Sequence, residues 1–291
     1  AIGHNVSDMV LLKEYKLPKI LVFHNRLSTE IELGKNRVSK GEYLEKIRHL
    51  LDDATRVFIS ESKREDWGID GSIILPGIDV DEYQGYTGEN PCVLRIGNHF
   101  KERDLMLGYS AGQNILGNHP CKILGINPTI PESRPTNGLD DLLDHFRSHR
   151  LYLNATVDGI EDGYNLAMLE AMATGMPVVS TWNRTSPIRD GDNGFISEDP
   201  QYLNRCVEKL LNDRDLARKM GERARETVRK QFSIQTFLKC WHTVIHESVL
   251  DFLKNTGVSM GEEKQSFNEK IRKNILMDYV FLVVLKVQER Q

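Results

Sequence analysis

Residues 161–181, EDGYNLAMLEAMATGMPVVST, contain a glycine turn, a run of apolar and small residues, and a β-branched segment. The middle run predicts a helix that begins near Tyr164 or Asn165. Gly175 and Pro177 predict its end, because glycine takes the left-handed conformation after a helix and proline does not continue it. The stretch therefore indicates a loop, a helix and a following strand, as in a parallel α/β unit.

Two acids, Asp162 and Glu170, lie eight residues apart in this stretch. A carboxylate within an apolar helix needs water or a partner, since its desolvation is otherwise very costly. We expect Glu170 to lie beside the core-facing stripe of the helix and close to a ligand. Gly163 would let backbone amides approach that ligand, and with Asp162 they could hold sugar hydroxyls. The core-facing stripe is predicted to be Leu166, Leu169, Met172 and Ala173.

Outward from this stretch, short apolar runs alternate with helical patterns along the chain. Such alternation predicts an α/β fold with parallel sheets covered by helices. Ser39 and Glu42 form a predicted capping box, and Asp199 with Pro200 predicts the start of helices that continue to about Gly257. The predicted strands are KILVFHN, RVFIS, SIILPG, CVLRIGN, CKILGI, LYLNAT, MPVVST and GFIS.

The Pro-Gly turn in LPGIDVDEY, residues 75–83, divides the chain into two runs of strands. We expect a partial Rossmann-like domain over residues 1–72 and a second Rossmann-like domain over 73–232. Residues 233–291 are predicted to be helices that return to the first domain. Two or three strands before the turn would bury little core, so we expect the N-terminal domain to be truncated. Five strands follow the turn.

Composition excludes several classes of protein. A net charge of −4 and a pI near 6.2 argue against nucleic acid as a partner.

The run at residues 275–285 is too short to span a bilayer, and we expect a cytoplasmic protein. A stripe of Ile271, Ile275, Tyr279 and Leu282 is predicted to pack on the protein itself, with contact to the inner membrane face as the alternative. The sequence does not decide whether the protein forms an oligomer. The spacing of Cys92, Cys121, Cys206 and Cys240 suggests reduced thiols.

The sequence DGYNLAMLEAMATGMPVV resembles the donor-binding segment of the family 4 glycosyltransferases, which are retaining enzymes of the GT-B fold. Three further segments resemble family motifs in the same order: LPGIDVDEY the interdomain turn, CVLRIGNHFKERD the first C-domain strand and phosphate loop, and SPIRDGDNGFIS a late turn. Together they cover roughly residues 57–232. The resemblance implies two Rossmann-like domains of the GT-B type, with residues 1–72 on the acceptor side and residues 73–232 binding the nucleotide sugar.

The same resemblance implies roles for individual residues. Glu170 would accept hydrogen bonds from the ribose hydroxyls of a nucleotide sugar. Asp162 and the backbone at Gly163, Tyr164, Asn165 and Leu166 would bind the transferred sugar. Gly97 and Asn98 would border the donor phosphates. Ile126, Asn127 and Pro128 are candidates for contact with the base.

This chain departs from the family pattern at several positions. The first acid is Asp162 instead of glutamate, and Ser186 stands where many members have glutamate. Asn98 replaces the usual phosphate-binding arginine, while Arg103 occupies the usual lysine position. We therefore expect Arg103, and Lys101 second, to contact the diphosphate. The alternative is a solvated KERD helix start held by its own charge pairs.

A catalytic histidine is a further expectation. His24 ends the strand KILVFHN, where the family has a functional histidine, whereas for His4 we expect no role. His99 would contact the ligand through either its backbone or its ring. The acid pairs Asp79/Asp81 and Asp190/Asp192 lie in turns, where aspartate is common, so no metal is expected.

The sequence thus predicts a metal-independent retaining glycosyltransferase with a nucleotide-sugar donor, a UDP- or GDP-sugar, and no other cofactor. The acceptor would be a saccharide or a lipid-linked molecule. Two alternatives are a nucleotide-sugar-binding module without turnover and a nucleotide-sugar epimerase of the same fold.

Overall fold

The computed structural model describes residues 1–34, 38–52 and 54–256. The chain divides into two compact units, and the division falls at Gly77/Ile78. Unit 1 consists of Ala1–Gly77 together with residues 235–256 of the last described helix, and unit 2 consists of Ile78–Ile234. The predicted stripe at Ile271, Ile275, Tyr279 and Leu282 lies outside the described residues.

Unit 1 is built on a four-stranded parallel sheet with the order β1-β2-β3-β4. Its strands are Ile2–Gly3 (β1), Ile20–Phe23 (β2), Thr55–Phe58 (β3) and Ser72–Ile73 (β4). Its helices are Val6–Leu12 (α1), Leu27–Leu33 (α2), Lys40–Leu51 (α3), Glu61–Trp67 (α4) and most of Ile234–Thr256 (α11).

Alternation along β2 gives the sheet of unit 1 two buried faces. Leu21 and Phe23 join one apolar cluster, to which α1, α3 and α4 contribute. Ile20 and Val22 point to the opposite face and pack with Trp241 of α11. Side chains alternate between faces with a period of two, so the apolar run ILVF fits a strand covered by helices on both sides.

Unit 2 is built on a five-stranded parallel sheet with the order β6-β5-β7-β8-β9. Its strands are Asn90–Ile96 (β5), Cys121–Leu124 (β6), His149–Asn154 (β7), Val178–Thr181 (β8) and Gly194–Ser197 (β9). Its helices are Asp104–Leu107 (α5), Tyr109–Leu116 (α6), Leu139–Ser148 (α7), Leu166–Thr174 (α8), Pro200–Asn212 (α9) and Arg214–Gln231 (α10).

Two apolar clusters cover the two faces of the sheet in unit 2. Leu94, Tyr152 and Val178 face a cluster that includes residues of α7, α8 and α10. Residues adjacent to these along the same strands, among them Val93 and Val179, face a cluster with residues of α6 and α9. The predicted α/β fold with parallel sheets is confirmed, and helices lie on both faces of the sheet.

Several local predictions are confirmed and one count is wrong. The capping box of Ser39 and Glu42 and the N-cap Asp199 with Pro200 are present. Unit 1, however, has four strands among its described residues, not two or three, because β1 is a two-residue strand that carries no clear alternation. In the described part of the chain, no helix combines the length and the apolar character that a membrane crossing requires.

Candidate functional site

The order of the strands in unit 2 creates a crevice at one edge of its sheet. From β5 the chain goes first to β6 on one side and then to β7 on the other. β5 and β7 are adjacent strands, and the loops that follow them therefore run away from each other at the carboxyl edge of the sheet. Open parallel sheets bind ligands at such a point. Gly97 and Asn98 follow β5, while Asp162 to Leu166 lie between β7 and α8.

Asn154, the last residue of β7, organises the loop between β7 and α8. Its Nδ2 lies within hydrogen-bond distance of the Gly163 carbonyl at 3.4 Å and of Ser180 Oγ at 3.2 Å, while its Oδ1 accepts from Asn165 Nδ2 at 3.1 Å. Asn165 in turn is the N-cap of α8, and its Oδ1 accepts from the Met168 amide at 2.9 Å. One buried amide thus fixes the loop, the helix start and β8 relative to each other.

Position 163 requires glycine because the backbone of Ser186 lies too close for a side chain. A Cβ at this position would lie 2.6 Å from the Ser186 nitrogen, and the Gly163 amide donates to Thr185 Oγ1 at 2.7 Å. The predicted availability of this amide for a ligand is thus not seen in the described structure. Asn183 supports the same contact, since its Oδ1 accepts from both the amide and the hydroxyl of Thr185.

Glu170 lies in α8 and is 8% exposed. Its Oε1 accepts a hydrogen bond of 3.2 Å from the Tyr83 hydroxyl, so the carboxylate has a partner within the protein. The predicted stripe on this helix is wrong in one respect: residues 167–174 are buried all round, while Leu166 is only partly buried. A helix that is apolar on every side is a core helix without a solvent face.

Asp162 is 3% exposed and follows the turn at the end of the same loop. Burial, and then the nearby Asp162 carboxylate, raise the pKa of the Tyr164 hydroxyl, so this group stays protonated. The Tyr164 ring packs edge to face on Phe232, with ring centroids 5.1 Å apart. Two buried carboxylates thus lie on either side of the N-terminus of α8, Asp162 in the loop before it and Glu170 within the helix.

The loop after β5 is joined to the loop after β6 by two asparagine side chains. Asn98 Oδ1 accepts from the Ile126 amide at 2.8 Å, and Asn127 Nδ2 donates to the Gly97 carbonyl at 2.9 Å. Between them, His99 adopts a φ of 55°, which is uncommon for a residue other than glycine. The His99 side chain is exposed, and its amide donates to the Ile126 carbonyl.

Two exposed cations follow this loop. Lys101 Nζ donates to the Thr129 carbonyl at 2.9 Å and lies 5.7 Å from the centroid of the Tyr109 ring. Among the residues that the structure describes, the Arg103 side chain makes no hydrogen bond or ion pair. The alternative of a KERD segment held by its own charge pairs finds no support, because Glu102 accepts from Thr129 and Asp104 from Ser110.

His24 belongs to unit 1 and lies just beyond β2. Its Nε2 is 3.0 Å from Nδ1 of His4, which lies just beyond the adjacent strand β1, and the two rings are stacked. Parallel pairing of β1 with β2 places both strand ends at one edge. The structure thus brings His24 together with a histidine for which the sequence suggested no role.

The two predicted turn pairs of aspartates have protein partners. Asp79 Oδ1 accepts from the Asp81 amide, as expected of a turn. Asp190 accepts from the Ile196 amide and the Tyr202 hydroxyl, and Asp192 pairs with Arg189 and Arg223. In the part of the chain that the structure describes, no cluster of three potential metal ligands is found.

Sequence reasoning missed four polar residues that shape this region: Tyr83, Asn154, Asn183 and Thr185. Three of them act through partners that are remote in sequence, for example Tyr83 on Glu170 across 87 positions, whereas Asn183 acts on the nearby Thr185. Asn154 alone carried a signal, because a polar residue at the end of a buried strand marks the carboxyl edge of a parallel sheet.

Comparison with known proteins agrees with this geometry. Residues 123–213 match the family model described as glycosyl transferases group 1. Among curated proteins, the putative glycosyltransferase EpsD of Bacillus subtilis is 35% identical in an alignment of 182 residues that covers 52% of this chain and 48% of EpsD. The chain therefore spans about half the length of this relative. The resemblance identified from the motifs is confirmed.

Solved structures confirm the GT-B-like fold. Anabaena HepE in complex with UDP-glucose superposes with a TM-score of 0.64 at 14% identity, covering 84% of this chain and 78% of HepE. A Staphylococcus aureus TarM mutant in complex with fondaparinux, α-GlcNAc-glycerol and UDP gives a TM-score of 0.58 at 19% identity, covering 78% of this chain and 50% of TarM.

Proposed function

We propose that this chain, whose residues 123–213 are a group 1 glycosyltransferase segment, serves in a retaining glycosyltransferase that uses a nucleotide-sugar donor. The observation that carries the proposal is the pair of buried carboxylates, Asp162 and Glu170, at the start of α8 beside the crevice of unit 2. Buried carboxylates accept several hydrogen bonds, and a sugar offers several hydroxyl donors.

In this proposal Glu170 accepts hydrogen bonds from the ribose hydroxyls. Its bond with Tyr83 uses one site of a group with about four lone-pair sites. Asp162 holds the transferred sugar, together with the backbone from Gly163 to Leu166. Because the Gly163 amide donates to Thr185, the first amides of α8, those of Leu166 and Ala167, are better placed to bind a ligand.

Arg103 contacts the leaving diphosphate in this proposal, and Lys101 is second. Negative charge grows on the diphosphate oxygens as the glycosidic bond breaks, and a nearby cation stabilises that charge. Arg103 is the better candidate because Lys101 already donates to Thr129. Gly97 and Asn98 border the same phosphates from the end of β5. We propose that this arrangement works without a metal and that His24 acts on the acceptor side.

UDP is the proposed nucleotide, and GDP is the alternative. HepE and the TarM mutant were crystallised with UDP or UDP-glucose, which supports this choice by likeness of fold. The proposed acceptor is a saccharide or a lipid-linked molecule.

A thermal-shift panel of UDP-, GDP-, ADP- and CDP-sugars tests the donor site. A ligand at about 100 times its dissociation constant stabilises a protein by about 2.7 kcal/mol. We expect one nucleotide class to raise the Tm of the wild type and to leave Glu170→Ala unchanged. Glu198→Ala, which alters an exposed glutamate of the same unit, is the matched control and should behave as wild type.

The outcomes separate the proposed function from its alternatives. Flat curves for all four classes would refute a nucleotide-sugar site in this chain. Stabilisation without transfer to any acceptor would identify a binding module. A changed sugar on the nucleotide, found with donor alone, would identify an epimerase.

A further inference from the structure

The Tyr83 hydroxyl is placed to orient the Glu170 carboxylate. Tyr83 is 7% exposed, and its hydroxyl donates to Glu170 Oε1 at 3.2 Å. Its ring packs edge to face on Phe146 of α7, with ring centroids 6.5 Å apart. The ring is therefore held by the core, and the hydroxyl has a fixed origin from which to donate.

Arg225 of α10 holds the backbone on both sides of this bond. Its Nη1 donates to the carbonyls of Tyr83 and Ala173, and its Nη2 donates to the Val80 carbonyl at 2.6 Å. Ala173 lies in α8, the helix that carries Glu170. The rigid fork of the guanidinium therefore joins the segment of Tyr83 to the helix of Glu170.

We infer that Tyr83 is a positioning residue for nucleotide recognition: it holds Glu170 in the orientation that accepts the ribose hydroxyls, and Arg225 fixes Tyr83 in place. The inference rests on the proposed function, in which Glu170 binds ribose. It adds a residue outside the donor-binding loop, contributed by the segment that begins unit 2.

The bond has a physical consequence for affinity. A carboxylate in a fixed rotamer loses less conformational freedom when the ligand binds, and preorganisation of this kind raises affinity. Without the hydroxyl, Glu170 loses one of the contacts that set its orientation before the ligand binds. A hydrogen bond to a charged group is worth more than a neutral one, and we expect its loss to weaken ribose recognition about 3- to 10-fold.

The test compares nucleotides with and without ribose hydroxyls. Isothermal titration with UDP, GDP and their 2′,3′-dideoxy forms is performed on the wild type, Tyr83→Phe and Glu170→Gln. We expect the wild type to prefer the ribose form of its nucleotide. Tyr83→Phe should reduce that preference about 3- to 10-fold and leave the affinity for the dideoxy form unchanged. A role limited to packing would weaken both forms equally.

Tyr86→Phe is the matched control. Its hydroxyl donates to the Arg150 carbonyl at 2.6 Å, so the variant removes a partly buried tyrosine hydrogen bond in the same unit without touching a carboxylate. We expect its preference for ribose to equal that of the wild type. In the Glu170→Gln background, Tyr83→Phe should have no further effect on the preference, because the two residues act as one unit.

The possible results distinguish this inference from the proposed function. If the wild type binds neither UDP nor GDP, the proposed function and the inference both fail. If the wild type prefers the ribose form and Tyr83→Phe retains the full preference, the inference alone fails. A reduced preference in Tyr86→Phe of the same size would also overturn it.

Discussion

The Oδ1 atom of Asn127 accepts a hydrogen bond of 2.8 Å from the backbone amide of Phe100. Phe100 belongs to the loop after β5 and Asn127 to the loop after β6, so one side chain joins the two loops on this side of the crevice. The same side chain also donates to the Gly97 carbonyl, and it is 5% exposed. The position of the loop that leads to Arg103 is thereby tied to a buried amide.

Asn127→Ala should therefore lower stability and disorder the loop after β5. The change leaves the Phe100 amide and the Gly97 carbonyl without their partner, at a cost of about 1–3 kcal/mol for each buried group. Urea unfolding followed by circular dichroism measures the loss. Asn137→Ala, at an exposed position, should stay within about 0.5 kcal/mol of wild type. Equal stability of the two variants would contradict the role of Asn127.

Arg103→Ala should reduce turnover with little change in stability. Removal of one group that stabilises developing negative charge lowers kcat by about 10²- to 10³-fold in other enzymes. The side chain is exposed, so the fold does not depend on it. Initial rates with saturating donor measure the effect, with the exposed Arg205→Ala as control. If Arg103→Ala keeps the wild-type rate and Lys101→Ala loses it, the role belongs to Lys101.

Gly163→Ala should destabilise unit 2 and weaken donor binding. The new Cβ would lie 2.6 Å from a backbone nitrogen and 2.7 Å from the Cα of Ser186, so backbone would have to move. Overpacking of this kind costs about 1–3 kcal/mol. Denaturant unfolding and donor titration measure the two effects.

Gly41→Ala is the control for this glycine. It lies in α3 with nothing within 4 Å of the added Cβ, so alanine should stabilise the protein by about 0.4–1 kcal/mol. Stabilisation by both alanines would show that the contact between Gly163 and Ser186 does not restrict position 163.

His149 should make the protein less stable as pH falls below about 6.5. Burial, and then the neighbouring His145, lower the pKa of His149 to about 4. In the unfolded chain His149 binds a proton near pH 6.5, whereas in the folded chain it does so only near pH 4. The contribution of neutral His149 to stability is therefore full above pH 6.5 and declines towards pH 4. His145 acts in the same direction, because its pKa is also lowered by burial.

The measurement is Tm against pH for wild type and His149→Asn. Asparagine can still donate to the His145 carbonyl, which His149 Nδ1 contacts at 3.0 Å. We expect the variant to lose less Tm between pH 7 and pH 5 than the wild type. The exposed His49→Asn is the control and should keep the wild-type slope. A variant slope equal to that of the wild type would exclude His149 as a source of the dependence.

Local chemistry made part of the fold predictable from sequence. Gly175 has a φ of 93° and closes α8, as a glycine before Pro177 indicates, and Ser39 caps α3 as its pattern predicts. These features depend on residues within a few positions of one another, and the parallel strands follow from apolar runs of adequate length. The predictions failed where a signal was short or uniform, as in two-residue β1 and in α8, which is buried on every side.

The candidate site was predictable only in its acids and its loops. Asp162, Gly163 and Glu170 lie in one contiguous stretch that can be recognised, whereas Tyr83 and Thr185 reach the same region from distant parts of the chain. No periodicity or local motif links such partners, because their contacts arise from tertiary packing. The roles of the acids and cations remain predictions for the experiments above.

The discontinuity of unit 1 determines the order in which the chain can fold during synthesis. Unit 2 is one continuous segment, so all of its strands and helices have left the ribosome once Ile234 has emerged. Unit 1 needs Trp241 and Val244 of α11 to cover one face of its sheet, and these residues are made last among its core residues. Ile20, Val22 and Val57 are thus synthesised early and stay without their helical cover until Trp241 is translated, which is 184 residues after Val57 (241 − 57) and later still for the other two. The nascent chain therefore exposes an apolar sheet face during that interval.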